Sequence, residues 1–244
     1  MPAGPLEHVD ACLFDMDGVL TDTARIHSAA WRETFDAFLA ARPEAAGEDH
    51  RPFSDDDYAA NVDGLPREDG VRNFLASRGV ALPEGTPEDG PDAGTVHGLG
   101  QRKNALVGRL IDEGGVVVYP GTLALLDVLR DRGTPCAVVS SSANTKRVLT
   151  AAGVLDRFSA VVDGSTLQVR GLKGKPAPDT FLAAAADLGV PPDRAAVFED
   201  ALAGVEAGRA GAFGLVVGVD RVGHADALRE HGADLVVADL QELA

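Results

Sequence analysis

The sequence has few cysteines, few basic residues and no long apolar run, and each shortage argues against a class of protein. Among 244 residues there are two cysteines, and 22 lysines and arginines stand against 38 aspartates and glutamates. The resulting net charge of -16 argues against nucleic acid and against an anionic membrane as partners, because both repel an acidic protein. No apolar run approaches the roughly 20 residues that span a bilayer. We therefore expect neither partner for this chain.

The two cysteines and the first residues of the chain bear on its compartment. Cys12 and Cys136 lie inside apolar, strand-like runs, so we interpret them as buried thiols, although the pattern leaves a disulfide open. Residues 1–6 have neither the basic region nor the apolar region of a signal peptide. These features predict a cytoplasmic protein, and its length allows one large or two smaller domains.

The most informative segment carries two carboxylates, Asp15 and Asp17, directly after the apolar run from Val9 to Phe14. The apolar run predicts a buried strand, and Gly18 allows the chain to turn at its end. Ligands of open α/β sheets bind at the carboxyl ends of the strands. Two acids at such a place repel each other unless a cation or a substrate compensates them, which indicates a functional site. A solvated acidic turn would also explain this segment taken alone.

Matching parts follow further along the chain and decide between these interpretations. They are Ser140-Ser141-Ser142 after an apolar run, Lys175-Pro176 before a helix, and Glu199-Asp200 after another apolar run. Together with the Asp-x-Asp segment, this order and spacing resembles the haloacid dehalogenase-like phosphotransferase superfamily over nearly the whole chain. The resemblance implies a doubly wound parallel sheet of the Rossmann-like α/β class with an inserted α-helical cap domain.

The alternation of short strands and helices independently predicts a parallel sheet. Beyond the first strand, the candidate strands are residues 136–139, 160–162, 195–198, 214–217 and 235–237, and the candidate helices are 123–132, 144–152, 178–188 and 201–210. Residues 24–113 break this rhythm, with helical periodicity at 24–41, 71–75 and 104–111 and a loop rich in proline and glycine at 82–95. We therefore predict a core domain of residues 1–23 and 114–244 and a helical cap domain of residues 24–113.

The resemblance implies roles for the acids and the lysine of the core. Asp15 would be the nucleophile that forms an aspartyl phosphate, and Asp17 would be the general acid and base. Lys175 would offset charge between Asp15 and the phosphate, with Lys173 as the alternative lysine. Ser140, which the spacing favours over the alternative Ser141, would hydrogen-bond the phosphoryl group during transfer.

The resemblance also implies a magnesium site, because Mg²⁺ prefers hard oxygen ligands beside a phosphate. Its residues would be Asp15, Asp17 through its backbone carbonyl, Glu199 acting from outside the direct ligands, and Asp200. Asp200 would in addition be suited to cap the helix that follows it.

Polar residues after Ser140 lie near a predicted helix N-terminus, which favours anions. Ser141, Ser142 and Asn144 would add hydrogen-bond donors there. A helix-capping cluster is the alternative for these residues, and for Ser142 it is the better explanation.

Within the cap, the resemblance narrows to the β-phosphoglucomutase branch. The segment from Thr21 to His27, followed by Trp31, is similar to that branch's hinge and first cap helix, in which His27 would restrain the general acid until the cap closes. The segment from Gly64 to Asp69 is similar to a cap loop in which Arg67 would bind the distal phosphate with its guanidinium fork. The implied substrate-binding residues are Thr23, Trp31, Gly64, Arg67, Lys103, Asn104, Ser141, Ser142 and Asn144.

These assignments predict a Mg²⁺-dependent enzyme, acting as a monomer, that moves a phosphoryl group between the 1 and 6 positions of a hexose phosphate. A sugar-phosphate phosphatase, in which water resolves the phospho-enzyme, is the alternative. A non-catalytic sugar-phosphate-binding protein is a third and weaker hypothesis, because no core motif position is missing. The extra cap length at residues 84–95 and the divergent segment after Val162 leave the identity of the sugar open.

Overall fold

A computed structural model describes residues 4–43 and 45–244. The chain divides into two compact units, which we describe separately: the first comprises Met1–Thr23 and Val116–Ala244, and the second comprises Ala24–Gly115. Residues 1–3, which belong to the segment without signal-peptide features, lie outside the described residues. None of the helices in the described ranges has the length and the apolar character needed to cross a membrane.

A six-stranded parallel sheet forms the centre of the first unit. Its strands are β1 (Ala11–Phe14), β2 (Cys136–Val139), β3 (Ala160–Val162), β4 (Ala195–Glu199), β5 (Leu215–Val219) and β6 (Leu235–Val237). The strand order is β3-β2-β1-β4-β5-β6, so the chain winds outward from β1 first on one side and then on the other. Every neighbouring pair is parallel, which confirms the predicted doubly wound α/β class.

The described residues contain ten α-helices. They are α1 (Ala24–Ala41), α2 (Asp55–Asn61), α3 (Arg67–Ser77), α4 (Val96–Gly114), α5 (Pro120–Arg132), α6 (Thr145–Ala151), α7 (Gly164–Arg170), α8 (Asp179–Leu188), α9 (Leu202–Ala210) and α10 (Ala225–Glu230). The sequence pattern did not predict α2, α7 or α10, because each has only six or seven residues and shows too few turns for a clear helical period. Helix α5 begins three residues before the predicted start because Pro120 stands at its first turn, where proline is favoured.

The core of the first unit is made by the two faces of the sheet. The four residues of β1 are all fully buried, as expected of a central strand covered by helices on both faces. Cys12 and Cys136 face each other as register partners of β1 and β2, and both are free, buried thiols, which confirms their interpretation. Burial raises the pKa of Cys136 to about 12, so this thiol stays protonated and unreactive near neutral pH.

The second unit is helical and has a core of its own, built largely from aromatic rings. Phe35 of α1 stacks on Trp31 with ring centroids 5.0 Å apart and on Phe74 of α3 at 4.0 Å. Such stacking adds to the free energy gained by burying the ring area. As predicted, residues 82–95 form a loop without helix or strand before α4 begins at Val96. Helix α4 ends at Gly114, and the unit ends one residue later at Gly115.

Candidate active site

The strand order brings the predicted acids together at one edge of the sheet. Strands β1 and β4 are neighbours on either side of the point where the winding reverses, and crevices at such points bind ligands in open α/β folds. Phe14 pairs in register with Phe198, and the backbone amide of Asp15 donates to the carbonyl of Phe198 at 2.9 Å. Asp15 and Glu199, which follow these paired residues, therefore lie side by side.

A buried lysine joins three strands at this edge. The ammonium of Lys175 donates to the carboxylates of Asp15 and Glu199, and to the carbonyl of Val139 at 3.3 Å. These acceptors lie at or directly after the carboxyl ends of β1, β4 and β2. The two carboxylates outweigh the effect of burial and raise the pKa of Lys175, so it remains a cation. Lys173, the alternative lysine, is exposed and does not take this place.

Glu199 is fully buried and held at both ends of its carboxylate. One oxygen accepts from Lys175, and the other accepts from the backbone amide of Ala201 at 2.9 Å. A Cβ atom on Gly204 of α9 would lie 1.8 Å from Glu199, so only glycine leaves room for the carboxylate there. Sequence analysis missed Gly204, although its spacing of five residues after the buried acid is a usable signal.

Three carboxylates converge where a metal ion can be held. Asp15, Glu199 and Asp200 each offer an oxygen, and these atoms lie within 4.8 Å of one another. Burial raises the pKa of Asp15 well above its ordinary value, and the nearby charges of Glu199 and Asp17 raise it further while Lys175 opposes them. The acids outnumber the single lysine, so a divalent cation would compensate the excess negative charge. Hard carboxylate oxygens fit such a cation.

The turn after β1 is built to carry Asp17. Gly18 has φ of +84°, and a Cβ atom there would lie 1.8 Å from the carboxylate of Asp200. The hydroxyl of Thr23 donates to the carboxylate of Asp17, and it shares a hydrogen bond of 2.7 Å with the hydroxyl of Thr21. Thr23 was predicted as a substrate-binding residue, but within this unit its contact orients Asp17. Sequence analysis did not identify a role for Thr21.

The serines after β2 form a tight turn. Ser140 is buried, and its hydroxyl accepts from the backbone amide of Ser142 at 3.1 Å. The hydroxyl of Ser142 accepts in turn from the amide of Asn144 at 3.2 Å. Asn144 is the N-cap of α6 and no side-chain hydrogen bond caps this helix, so the bond of Ser142 belongs to the turn before it. Ser140 follows Val139, whose carbonyl contacts Lys175, so it lies beside the acid cluster. Ser141 and Asn144 are both partly exposed at this turn.

Within the helical unit, three of the predicted residues meet where α1 packs on α4. The ammonium of Lys103 lies 3.0 Å from Nδ1 of His27 and 4.7 Å from the ring centroid of Trp31. Because an ammonium has no acceptor, Nδ1 of His27 must accept this hydrogen bond, and the neutral ring then carries its proton on Nε2. The pair therefore fixes the tautomer of His27. Asn104 follows Lys103 on the same helix.

Arg67 stands at the start of α3 and has a carboxylate partner that sequence analysis did not predict. Its guanidinium donates to Glu68 at 2.7 and 2.9 Å. The side chain passes so close to Gly100 of α4 that a Cβ atom there would lie 3.2 Å from Nε of Arg67. Gly64 lies in the turn before this helix with φ of +68°, a conformation that favours glycine. The helical unit thus keeps Arg67 paired with an anion.

Comparison with known proteins gives relatives over nearly the whole chain. The sequence profile of the haloacid dehalogenase-like hydrolases matches residues 9–211. A Mycobacterium bovis protein named β-phosphoglucomutase is 55% identical over 97% of this chain and 92% of its own length. The β-phosphoglucomutase of Bacillus subtilis is 33% identical over 96% of this chain and 91% of its own length. A crystal structure of β-phosphoglucomutase from Clostridium difficile has a TM-score of 0.76 at 27% identity, covering 97% of this chain and 93% of that one.

Proposed function

Because this chain belongs to the haloacid dehalogenase-like hydrolase family, we propose that it converts β-glucose 1-phosphate into glucose 6-phosphate through an aspartyl phosphate on Asp15. The proposal rests on one observation: the buried Asp15 contacts Lys175 and lies beside the carboxylates of Glu199 and Asp200 at the sheet edge. The names of the relatives, which match this chain over nearly its full length, support the choice of substrate.

Asp15 and Asp17 divide the chemistry between them. The phosphoryl group on Asp15 passes to the 6-hydroxyl of β-glucose 1-phosphate, and Asp17 takes the proton of that hydroxyl. The resulting 1,6-bisphosphate turns round, and the carboxylate of Asp15 attacks its 1-phosphoryl group. Asp17 returns the proton to the departing oxygen, which releases glucose 6-phosphate and restores the phospho-enzyme. The hydrogen bond from Thr23 orients Asp17 for both proton transfers.

The remaining core residues stabilise charge and hold a metal. Asp15 and Asp200 would hold Mg²⁺, together with the backbone carbonyl of Asp17 that the family resemblance implies, and the ion would neutralise charge on the phosphoryl oxygens. Lys175 compensates the negative charge of Asp15 from the other side, and Glu199 keeps Lys175 in place.

Further donors complete the proposed assignments. Ser140, with Ser141 and Asn144 beside it, supplies hydrogen bonds to the phosphoryl group, whereas Ser142 shapes their turn. We propose that the helical unit acts as a cap, with the roles that the family resemblance implies for His27 and Arg67. These are restraint of the general acid and binding of the phosphate that is not reacting. Location in the cytoplasm and action as a monomer stay predictions.

The first test is an assay of the purified protein with Mg²⁺, β-glucose 1-phosphate and a trace of glucose 1,6-bisphosphate. Glucose 6-phosphate and free phosphate are followed together. We expect glucose 6-phosphate without stoichiometric phosphate. Free phosphate without isomerised sugar would instead identify a sugar-phosphate phosphatase, and the absence of both products would contradict the choice of sugar.

The assignment of Arg67 is tested by Arg67→Ala with Arg72→Ala as the matched control on the same helix. Arg72 pairs with Asp69 and Glu84 at the surface. A charge-assisted hydrogen bond contributes about 1.5–3 kcal/mol, so we expect kcat/KM to fall by about 10- to 100-fold in the first variant and little in the second. Unchanged sugar-phosphate turnover in Arg67→Ala would contradict the assignment of Arg67 to the phosphate that is not reacting.

A further inference from the structure

Arg221, which follows strand β5, contacts the turn that carries Asp17. Its Nε donates to the carbonyl of Gly18 at 2.7 Å. Its Nη1 donates to the carbonyl of Ala238 at 3.2 Å and to the carboxylate of Asp239 at 3.3 Å. The guanidinium is thereby tied to the segment after β6 on one edge and to the turn after β1 on the other.

The flat face of the same guanidinium packs on Tyr119, with its central carbon 3.7 Å from the ring centroid. The hydroxyl of Tyr119 donates to the carboxylate of Asp22 at 3.3 Å, and the backbone amide of Asp22 donates to the carbonyl of Val117 at 2.9 Å. Burial, followed by the charge of Asp22, raises the pKa of Tyr119 to about 12, so this hydroxyl stays a donor. Arg221 therefore contacts Gly18 and Tyr119, which lie close in sequence to Thr23 and Val116, the two boundaries of the first unit.

The turn that Arg221 contacts leaves little freedom to its residues. Gly18 donates its amide to the carbonyl of Thr21 at 2.8 Å, and the amide of Thr21 donates to the carbonyl of Met16 at 3.0 Å. On its other side, Gly18 touches the carboxylate of Asp200 so closely that no Cβ atom fits between them. A shift of this turn would displace Asp17, which directly precedes Gly18, and would also disturb Asp200.

We propose that Arg221 is a positioning residue that holds the Gly18 turn against Asp200 and thereby sets Asp17 for proton transfer. Only an arginine can stack on Tyr119 with its face while donating from both edges, whereas a lysine keeps the charge alone. The kinetic consequence of this inference rests on the proposed function, but the structural consequence does not. Displacements of about 1 Å in an active site lower rates by as much as about 10²-fold.

The test compares wild type with Arg221→Lys, Arg221→Ala and the control Arg194→Ala. Arg194 forms an ion pair with Asp10 before β1, at the end of that strand opposite to Asp15. Hydrogen-deuterium exchange of the metal-free proteins is measured on peptides that contain residues 16–22. We expect exchange there to be at least about tenfold faster in both Arg221 variants, since one charge-assisted hydrogen bond is lost, and unchanged in the control.

The same proteins are assayed with Mg²⁺ and β-glucose 1-phosphate. In both Arg221 variants, we expect kcat to fall by about 10- to 100-fold while KM stays within about twofold, because Asp17 is displaced but the sugar contacts remain. Unchanged exchange at residues 16–22 would overturn the inference. Faster exchange throughout the first unit with a lowered Tm would also overturn it, in favour of a general role in stability. If wild type isomerises no sugar, the proposed function is wrong, but the exchange data still decide the role of Arg221.

Discussion

The sheet edge of the first unit and the α1/α4 contact of the second unit carry candidate residues in different ways. At the sheet edge, Asp15, Lys175 and Glu199 come from segments up to 184 residues apart and form one buried ion-pair network. In the helical unit, Lys103 contacts both His27 and Trp31 where two helices pack, while Arg67 is paired with its own neighbour, Glu68. The first arrangement is one buried network of ion pairs. The second comprises two different contacts, of which the Arg67–Glu68 pair continues through His97 to Glu84 and Arg72.

The difference follows from how each kind of element places its side chains. Parallel neighbouring strands end at the same edge, so any polar residue that directly follows such a strand is brought to one place. Helices present side chains around their whole circumference, so the approach of two residues depends on the crossing of the helices and on their rotation. Substitutions should therefore have larger and more coupled effects at the sheet edge than in the helical unit.

The largest expected effect is that of Asp15→Asn. The amide keeps the size of the side chain but cannot accept a phosphoryl group, so we expect turnover to fall by about 10⁴-fold or more. Asp10→Asn, which alters an exposed acid near the start of the same strand, is the matched control and should keep its activity. Turnover that survives in Asp15→Asn would contradict the assignment of Asp15 as the nucleophile. Sugar-phosphate binding without turnover in both wild type and Asp15→Asn would favour the non-catalytic binding hypothesis.

The next effect concerns stability and tests whether the sheet edge is a true network. Lys175→Met removes the cation between two buried carboxylates, and breaking a buried ion pair typically costs about 3–5 kcal/mol. We expect a loss of that size in the free energy of unfolding, measured with urea without metal. The control Lys173→Met changes an exposed lysine two residues away and should leave stability nearly unchanged.

A loss below about 1 kcal/mol in Lys175→Met would mean that the carboxylates are not held as charged partners of this lysine. The sheet edge would then not be a buried ion-pair network, and the contrast between the two regions would fail.

Much of the sheet edge was predictable because its motifs stand directly after apolar strand-like runs. Asp15 and Asp200 follow such runs, and the family resemblance implied that they would lie together. What escaped prediction was the fit around them: Gly204 makes room for Glu199, and Arg221 reaches Gly18 from a distant strand. These contacts depend on distances between helices and strands, for which a single sequence carries no direct signal.

The helical unit was less predictable for a related reason. Its long helices α1 and α4 have a clear apolar period, but the seven-residue α2 depends on a capping box at Ser54 rather than on periodicity. Family resemblance singled out His27, Lys103 and Arg67, yet only the packing of α1 on α4 shows that the first two touch. Arg67 pairs with Glu68, but other charged residues lie nearby, and the sequence does not determine which of them becomes the partner.

A smaller effect is expected when matched glycines in the two regions are replaced by alanine. In Gly204→Ala, the new Cβ atom would collide with the carboxylate of Glu199, and overpacking of this kind costs about 1–3 kcal/mol. In Gly114→Ala at the end of α4, nothing lies within 4 Å of the new atom, so stability should stay the same or rise by about 0.4–1 kcal/mol. Thermal unfolding of both variants measures the difference, and equal losses at the two sites would contradict the contrast in packing.

The smallest expected effect is that of Lys103→Met, which removes the ammonium that contacts Nδ1 of His27 and lies over the ring of Trp31. In wild type, ¹⁵N NMR should show His27 with Nδ1 as an acceptor and the proton on Nε2, because the ammonium donates to Nδ1. In the variant this preference should weaken, and kcat should fall only severalfold, about the effect of one net hydrogen bond. The control Lys146→Met alters an exposed lysine on α6 and should change neither quantity. A loss as large as that of Asp15→Asn would mean that the helical contact is as tightly coupled to the chemistry as the sheet edge.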